Sequence, residues 1–497
     1  MSANVSNRIL CLINSAPYSR SYFEELAPHL RAQGYEVVYA LDSHLSDVIY
    51  GGDKAIPGAW YFTDYMQKWL AAGRQPPLPA THTWTSLFSD FDRFLTMDIR
   101  PPLARDCPVS YSDIPGLLQM FFAEIFAREK PCAVVYEQVS NAFAIGAWNE
   151  SLRAGVPFCS LCPSRIAGRI EISLTGAFKD YETVGAIYRS TDPNAISREA
   201  YDIAANYVRT IDQQTPDYMK PQSLGGMIGE LSITKKYLRG EKLKHVLKSW
   251  RYRTRHREDC ALAFQHGDPI KLSVAFLRRA AKRRLRARFV AKYYQTQLPR
   301  EEEFFLYPLH FHPEASTSVL AADFIDELSV IKAIAFRLPT GVKLYVKEHP
   351  SAVALQSRSF YQQLDEMPNV RLLAAGLRAK ELARRSKGVV CITSTLGFEG
   401  AVLNKPVITF GDVLYGYYPN VRMIHDYSDL DGALRWALDY RPVAPEELLR
   451  ATAAYVQFGA PGSFDFKASL GDAAALGSVA IAVARGIQGY SPRQPVA

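Results

Sequence analysis

Two polar clusters stand out by residue type and spacing. Lys347-Glu348-His349-Pro350 ends an apolar run that begins at Lys343, and Thr393-Ser394-Thr395-Leu396-Gly397-Phe398-Glu399-Gly400 follows a second run, 389–392. An imidazole such as His349 can donate a hydrogen bond to a phosphate or to a leaving oxygen. Ser and Thr hydroxyls at a helix start add donors to its unpaired N–H groups and positive dipole end, a combination suited to phosphate. Gly397 would let the backbone approach a ligand closely. Each signal alone has an ordinary structural reading, because single histidines are usually packed and Ser and Thr cap many helices. What favours chemistry is that Lys347, Glu348 and His349 end one strand while Thr393, Ser394 and Thr395 end another in the same sheet. No HExxH and no DxD at a strand end accompanies them, so no metal is expected in the pocket.

The elements that must position these clusters follow from periodicity. Runs at 343–347, 389–392 and 406–410 read as strands, separated by helix-patterned stretches at 356–366 and 378–386. Strand, helix, strand at this spacing predicts a parallel α/β sheet with ligands at the carboxyl ends of its strands. The chain opens the same way. An apolar run at 8–14, a helix to about Gln33 and a strand at 35–41 ending in Asp42 form a βαβ start. It lacks GxGxxG, so a dinucleotide site is not expected there. Periodicity resumes with a helix at 117–130, a strand at 133–136 ending in Glu137-Gln138, and a helix that Asn141 caps and Gly155 closes. A strand at 156–161 then runs into Arg165 and Arg169. Glu137, Arg165 and Arg169 are thereby placed just past strand ends, where the arginines serve either surface salt bridges or an anion. Residues 43–112, rich in aromatics and proline, read as an insertion that either extends the core or lies over substrate.

Length and composition fit two globular domains. The chain has 497 residues, 48% hydrophobic and 22% charged. The boundaries expected are a first Rossmann-like domain at 1–170, a helical basic connection at 171–300, a second Rossmann-like domain at 301–425 and C-terminal helices at 426–497. Seven cysteines, mostly in apolar runs, suit a reduced, cytosolic setting, and Cys159 with Cys162 reads as structural. No signal-like stretch opens the chain and no apolar run approaches the roughly 20 residues that span a bilayer. Net charge is +8, yet residues 235–292 hold nineteen Lys and Arg against four acids. Their excess of fifteen leaves the remainder of the chain acidic. A basic amphipathic segment of this kind suits an anionic membrane surface or a polyanionic glycan, at about 1 kcal/mol per cation at a membrane. A solvated face is the plainer account, and no nucleic-acid recognition motif accompanies the charge.

Three motifs carry a resemblance. Tyr307-Pro-Leu-His-Phe-His-Pro-Glu-Ala-Ser-Thr317, Val346-Lys-Glu-His-Pro350, and Thr393-Ser-Thr-Leu-Gly-Phe-Glu-Gly400 with Asn404-Lys-Pro-Val-Ile-Thr-Phe-Gly411 resemble the bacterial capsular-polysaccharide biosynthesis family. That family includes the β-Kdo transferases and is similar in its HP and Ser/Thr motifs to bacterial sialyltransferases. The likeness is strong over roughly 300–415 and general over the first half. It implies a GT-B-like fold, in which two Rossmann-like parallel-sheet domains face a cleft with the helical basic insertion between them. It further implies a glycosyltransferase of surface-polysaccharide synthesis, with the donor held mainly by the second domain.

On that resemblance His349 would contact the phosphate of a CMP-sugar, with Pro350 completing its motif, and Ser394 with Thr395 would hold the same phosphate. Lys347, Glu348, Thr393, Gly397 and Glu399 join the donor-binding set, while Glu314 and His310 would face the donor as catalytic candidates. His312 stands where the family's pattern has Gln, and Ser394 where many members have Gly; both departures bear on which sugar is held. A retaining Kdo-type reaction needs a carboxylate near the anomeric carbon, for which Glu137 is the candidate, with Arg165 and Arg169 available to an acidic sugar or an anionic acceptor. The expected partners are a nucleotide-sugar, CMP-linked on the resemblance, a lipid-linked or polysaccharide acceptor, the inner membrane face through 235–292 and polysaccharide assembly or export machinery. No cofactor and no nucleic acid are expected. A UDP-sugar transferase, an epimerase and a non-catalytic glycan-binding protein are the rival readings.

Overall fold

The structure is a computed structural model that describes residues 6–73, 87–97, 109–176, 179–220, 240–298, 301–312 and 314–490. Trp84, Cys107, Pro313 and residues 235–239, singled out in the sequence or falling in its basic segment, lie outside the described residues. Short β-branched and aromatic runs form two sheets. The first contains β1 (Arg8–Ile13), β2 (Glu36–Leu41), β3 (Trp60–Tyr61), β4 (Ala133–Glu137), β5 (Phe158–Pro163), β6 (Arg169–Ser173) and, from the far end of the chain, β13 (Ala460–Pro461). The second contains β7 (Glu303–Pro308), β8 (Val342–Lys347), β9 (Val370–Leu373), β10 (Gly388–Cys391), β11 (Val407–Phe410) and β12 (Val421–Ile424).

Strand order gives both sheets the same plan. The second runs β12-β11-β10-β7-β8-β9 with every pairing parallel. Counted from its own first strand this is the 3-2-1-4-5-6 order of a Rossmann sheet. The first runs β13-β6-β5-β4-β1-β2-β3, the same order over its first six strands, with β6 antiparallel to β5 and β13 antiparallel to β6. Order reverses between β1 and β4 and again between β7 and β10, and in such sheets the crevice for ligands opens there, past the carboxyl ends. The α/β, two-Rossmann architecture read from the sequence is the one the chain adopts.

Local signals explain the elements. Asn141 caps helix Ala142–Ala154 by accepting from Ala144 N at 3.0 Å, and Gly155 ends it at φ 66°. β1, β4, β7, β8, β10 and β11 are buried almost throughout because helices cover both faces of each sheet. Five strands were not expected from the sequence, the two-residue β3 and β13 among them. β9 and β12 are four-residue runs that each hold an arginine, and β6 begins at Arg169, inside a stretch read as loop.

The halves are interleaved in sequence. Helix Pro445–Phe458 follows the second sheet and packs on helices Asp180–Arg189 and Arg198–Arg209. The chain then turns at Gly459, pairs β13 with β6, and lays helix Ala473–Gly489 on helix Ser19–Ala32. Leu476, Val479 and Val483 of that last helix belong to the same core as Ile9, Phe23 and Val134. Among the described residues no helix is long and apolar enough to cross a membrane.

Candidate functional site

Solvent access sorts the expected site residues into two groups. His349, Pro350, Ser394, Thr395 and Glu314 of the second sheet, with Glu137 and Arg165 of the first, keep exposed surface. Lys347, Glu348, His310, Thr393, Gly397 and Glu399 are buried. The first group is open to solvent; the second is packed beneath it.

His349 sits just past β8. Its Nδ1 accepts from Ser351 N at 3.1 Å, capping the short turn at Pro350–Ala352. That bond places the proton of the neutral ring on Nε2, which has no hydrogen-bond partner among the described residues. Burial, then neighbouring His310 and Lys347, lowers the pKa to about 4. At neutral pH the ring is therefore a neutral Nε2–H donor.

Ser394 caps helix Thr395–Val402, its Oγ accepting from Leu396 N at 3.2 Å and its own O–H remaining a donor. Its carbonyl accepts from Tyr415 Oη at 2.7 Å. Thr395 Oγ1 shares a 2.6 Å hydrogen bond with Tyr218 Oη. Arg165 crosses from the end of the first sheet and lays its guanidinium over the Tyr415 ring, 5.2 Å from the centroid. Burial opposes the charge, but neighbouring Tyr455 and Glu171 raise its pKa, so the cation is retained. A helix N-terminus, two hydroxyls and an arginine thus share one end of the cleft, a set of donors suited to an anion.

Several expected contacts are corrected by the geometry. Lys347 turns inward, its Nζ donating to the carbonyls of Ala375 at 3.0 Å and Glu348 at 3.3 Å. Glu348 accepts from Tyr294 Oη at 2.6 Å and Tyr361 Oη at 2.8 Å, and burial pushes its pKa up to about 7. His310 does not face a donor: Nδ1 lies 3.1 Å from Glu327 Oε1 and Nε2 accepts from Thr393 N at 3.2 Å. Thr393 donates its hydroxyl to Ser316 O at 2.9 Å. Glu399 pairs with Lys380 at 3.3 Å. Gly397 has a packing reason to be glycine, since a Cβ there would run into Tyr415 and Cys391. Arg169 donates to the carbonyls of Val456 and Gly459, holding the chain crossing away from the cleft. Glu314 is exposed, its Oε2 accepting from Ser316 Oγ at 3.2 Å.

Glu137 ends β4 at the switch point of the first sheet. Asn14 Nδ2 at 3.2 Å and Ser140 Oγ at 3.3 Å donate to its Oε1. Burial raises its pKa, which suits a group that takes and returns a proton. Part of the insertion reaches this region. In helix Phe88–Met97, Asp90 accepts from Ala142 N at 2.9 Å, at the start of the helix after β4. Two residues on, Asp92 lies 3.9 Å from His312 Nδ1 of the second half. His312 Nε2 lies 3.6 Å from Glu327. Burial favours the neutral ring, but the nearby carboxylates of Asp92 and Glu327 carry its pKa up to about 10. The imidazolium therefore bridges the two halves between carboxylates.

Sequence reasoning missed Asp92, Tyr218, Glu327 and the role of Tyr415. The aromatic stretch 415–418 was visible, but nothing in its spacing marks a tyrosine whose ring stacks an arginine and whose hydroxyl holds a loop.

Residues 252–418 match the family model described as capsule polysaccharide biosynthesis protein. Among curated proteins, the chain is 30% identical over 116 residues to the capsule polysaccharide modification protein LipA of Neisseria meningitidis serogroup A / serotype 4A, covering 23% of this chain and 16% of that protein. Its serogroup B counterpart is 34% identical over 68 residues, 14% of this chain and 10% of that one. The matched stretches thus span under a fifth of either relative. Among solved structures, the beta Kdo 2,4 transferase of Thermosulfurimonas dismutans KpsC aligns with a TM-score of 0.37 at 14% identity, covering 67% of this chain and 85% of that one. The fold assignment rests on strand order and register instead. The stretch similar to the capsule polysaccharide biosynthesis model, residues 252–418, contains His349, Ser394 and Thr395.

Proposed function

From the similarity of residues 252–418 to the capsule polysaccharide biosynthesis model, we propose that the chain is a glycosyltransferase of bacterial surface-polysaccharide synthesis. The donor in this reading is a nucleotide-activated sugar, with CMP-Kdo or a related acidic sugar favoured, and the acceptor is lipid-linked or a glycan. The observation that carries the proposal is the pairing of a neutral His349 donor with the open start of helix Thr395–Val402. β7 separates β8 from β10, so two strand spacings, roughly 10 Å, part them, the scale of a sugar phosphate.

In the proposed reaction the anomeric carbon–oxygen bond to the nucleotide phosphate breaks and the bond to an acceptor hydroxyl forms. His349 Nε2–H and the donors of Ser394 and Thr395 meet charge growing on the leaving phosphate. Arg165 takes the carboxylate of an acidic sugar, and the carboxylate of Glu137 either steadies the cationic sugar carbon or receives the acceptor proton. Lys347, Glu348, His310 and Thr393 act as positioning residues behind the loops. This reading calls on no metal, since it assigns the phosphate to His349, Ser394 and Thr395.

The test is turnover. Purified protein is supplied with CMP- and UDP-activated sugars and a membrane-derived acceptor fraction, and release of CMP or UDP is followed. CMP release that requires acceptor, and falls at least a hundredfold in Glu137→Gln, supports the reading. UDP release without acceptor points to an epimerase, and ligand binding without any turnover points to a glycan-binding protein.

The same proposal places the chain on an anionic membrane face. In helix Gly240–Arg255 Trp250 is 61% and Leu247 58% exposed, and in helix Pro269–Val290 Leu285 is 60% exposed, all among cations. Exposed apolar residues amid positive charge suit a bilayer interface better than plain solvent.

A further inference from the structure

Helix Pro269–Val290 carries Arg279, Arg283 and Arg286 at spacings of four and three, which puts them on one face. Two of them are anchored to backbone carbonyls. Arg283 donates from Nε to Val353 O at 2.6 Å and from Nη2 to Ser351 O at 2.9 Å. Arg286 Nη1 donates to Leu355 O at 2.6 Å and to Gln356 O. Together they fasten the loop that starts at His349. Arg279 is different. Its Nη2 is shut off from solvent and has no hydrogen-bond partner among the described residues. Among the described residues no carboxylate pairs with it, and burial, then Arg283 and Arg286, brings its pKa down to about 10.

A half-buried guanidinium with one enclosed, unpartnered nitrogen beside two like charges is unfavourable, and an arriving anion offsets that cost. The helix that bears it touches both helix Phe88–Met97 of the first half and helix Arg358–Glu366 behind the His349 loop. Arg279 lies one turn before Arg283, on the helix face that meets the His349 loop.

We propose that Arg279 is a binding residue for an oxyanion of the substrate, a phosphate or a carboxylate, that enters the cleft alongside the His349 loop. The inference rests on the transferase reading for the identity of that substrate, and on the three arginines alone for the existence of the site. Arg283 and Arg286 form the fixed wall and Arg279 the open ligand. A guanidinium offers paired N–H groups to either oxyanion, so the geometry suits both.

The experiment uses the full chain and titrates inorganic phosphate, a free 2-keto sugar acid and CMP at constant ionic strength. Binding is read by calorimetry and by melting temperature. Arg279→Gln is compared with wild type and with Arg278→Gln, which removes an equal charge from an exposed neighbour. The expected results are an affinity for phosphate or sugar acid at least about tenfold weaker in Arg279→Gln only, and a higher melting temperature for that variant without anion. Loss of phosphate and CMP binding together makes the oxyanion the donor's phosphate; loss of sugar-acid binding with CMP intact makes it a carboxylate. Anion affinity equal to wild type, or a melting temperature no higher without anion, overturns the proposal. Arg279-dependent phosphate binding in a protein that binds no nucleotide would keep the site and sink the transferase reading. Nucleotide turnover with Arg279-independent binding would do the reverse.

Discussion

His349 shows how much one side chain's tautomer decides. The bond from Ser351 N fixes Nδ1 as the acceptor and leaves Nε2–H outward. Because the folded pKa is depressed from 6.5 to about 4, the stability tied to the neutral ring is complete above pH 6.5 and lost only as pH falls through about 4. Nitrogen-detected NMR on the free protein should accordingly show His349 neutral and Nε2-protonated from pH 5.5 to 8. A titration midpoint between 6 and 7 would refute the assignment. Glu327 has the opposite character, buried and joined to His310 and His312. Burial by itself raises its pKa, but bonds from the two histidines bring it down to about 2. Glu327→Ala should cost about 3–5 kcal/mol in denaturant unfolding, since it strands buried partners; a loss under 1 kcal/mol would show that the histidines re-pair.

The chemistry-bearing types at 347–350 and 393–399 were legible in the sequence, but which of them face the cleft was not. Successive side chains on a strand alternate faces, yet both faces of this sheet are covered. Lys347 and Glu348 are therefore both buried, and only the first residue beyond them reaches the cleft. Period-two reasoning has no purchase on such a strand end.

At the scale of elements, the basic helix Pro269–Val290 changes meaning between sequence and structure. Counted as charge, its arginines form one undifferentiated surface. In the fold, Arg283 and Arg286 leave that surface to hold five-residue loop 351–355 and its neighbour 356 through backbone carbonyls. Carbonyl acceptors are present in every sequence and cannot be read from residue identity, which is why the role was hidden. Arg283→Met with Arg286→Met should lower stability by about 1–3 kcal/mol and weaken nucleotide binding more than it slows bound-substrate turnover. A fall in kcat with KM unchanged would show that the arginines act on the chemical step instead.

The order of the strands was predictable for the same sheet in its central part, where runs are apolar and well spaced. β9 and β12 escaped because an edge strand with an arginine satisfies its exposed side with polarity and resembles a loop.

Across the whole molecule, the two sheets are tied at two levels. Below, Arg169 holds the Val456–Gly459 crossing; at the cleft, His312 stands between Asp92 and Glu327. His312 has a folded pKa raised from 6.5 to about 10, so the stability it contributes is complete below pH 6.5 and is lost as pH rises through about 10. Wild type should therefore lose melting temperature between pH 8 and 10.5 more steeply than Asp92→Asn, and parallel curves would remove the bridge from the account. The Trp250 face makes a separate prediction. Sedimentation with vesicles should require anionic lipid, weaken as salt rises, and drop severalfold in Trp250→Ala. Binding insensitive to salt and lipid charge would show that the exposed surface serves something other than a membrane.

The broad plan of two Rossmann-like halves was readable from strand–helix–strand spacing at both ends of the chain. The return of residues 460–489 to the first sheet was not, because β13 is two residues long and pairs by backbone alone.

The proposed cleft reduces to one measurable claim: a nucleotide phosphate lies between His349 and Ser394. Calorimetric titration of CMP into wild type and His349→Ala, without magnesium, addresses it directly. The account predicts saturable binding to wild type and an affinity at least about tenfold lower in the variant. Equal affinity in both proteins, or no binding of CMP to wild type, would contradict it.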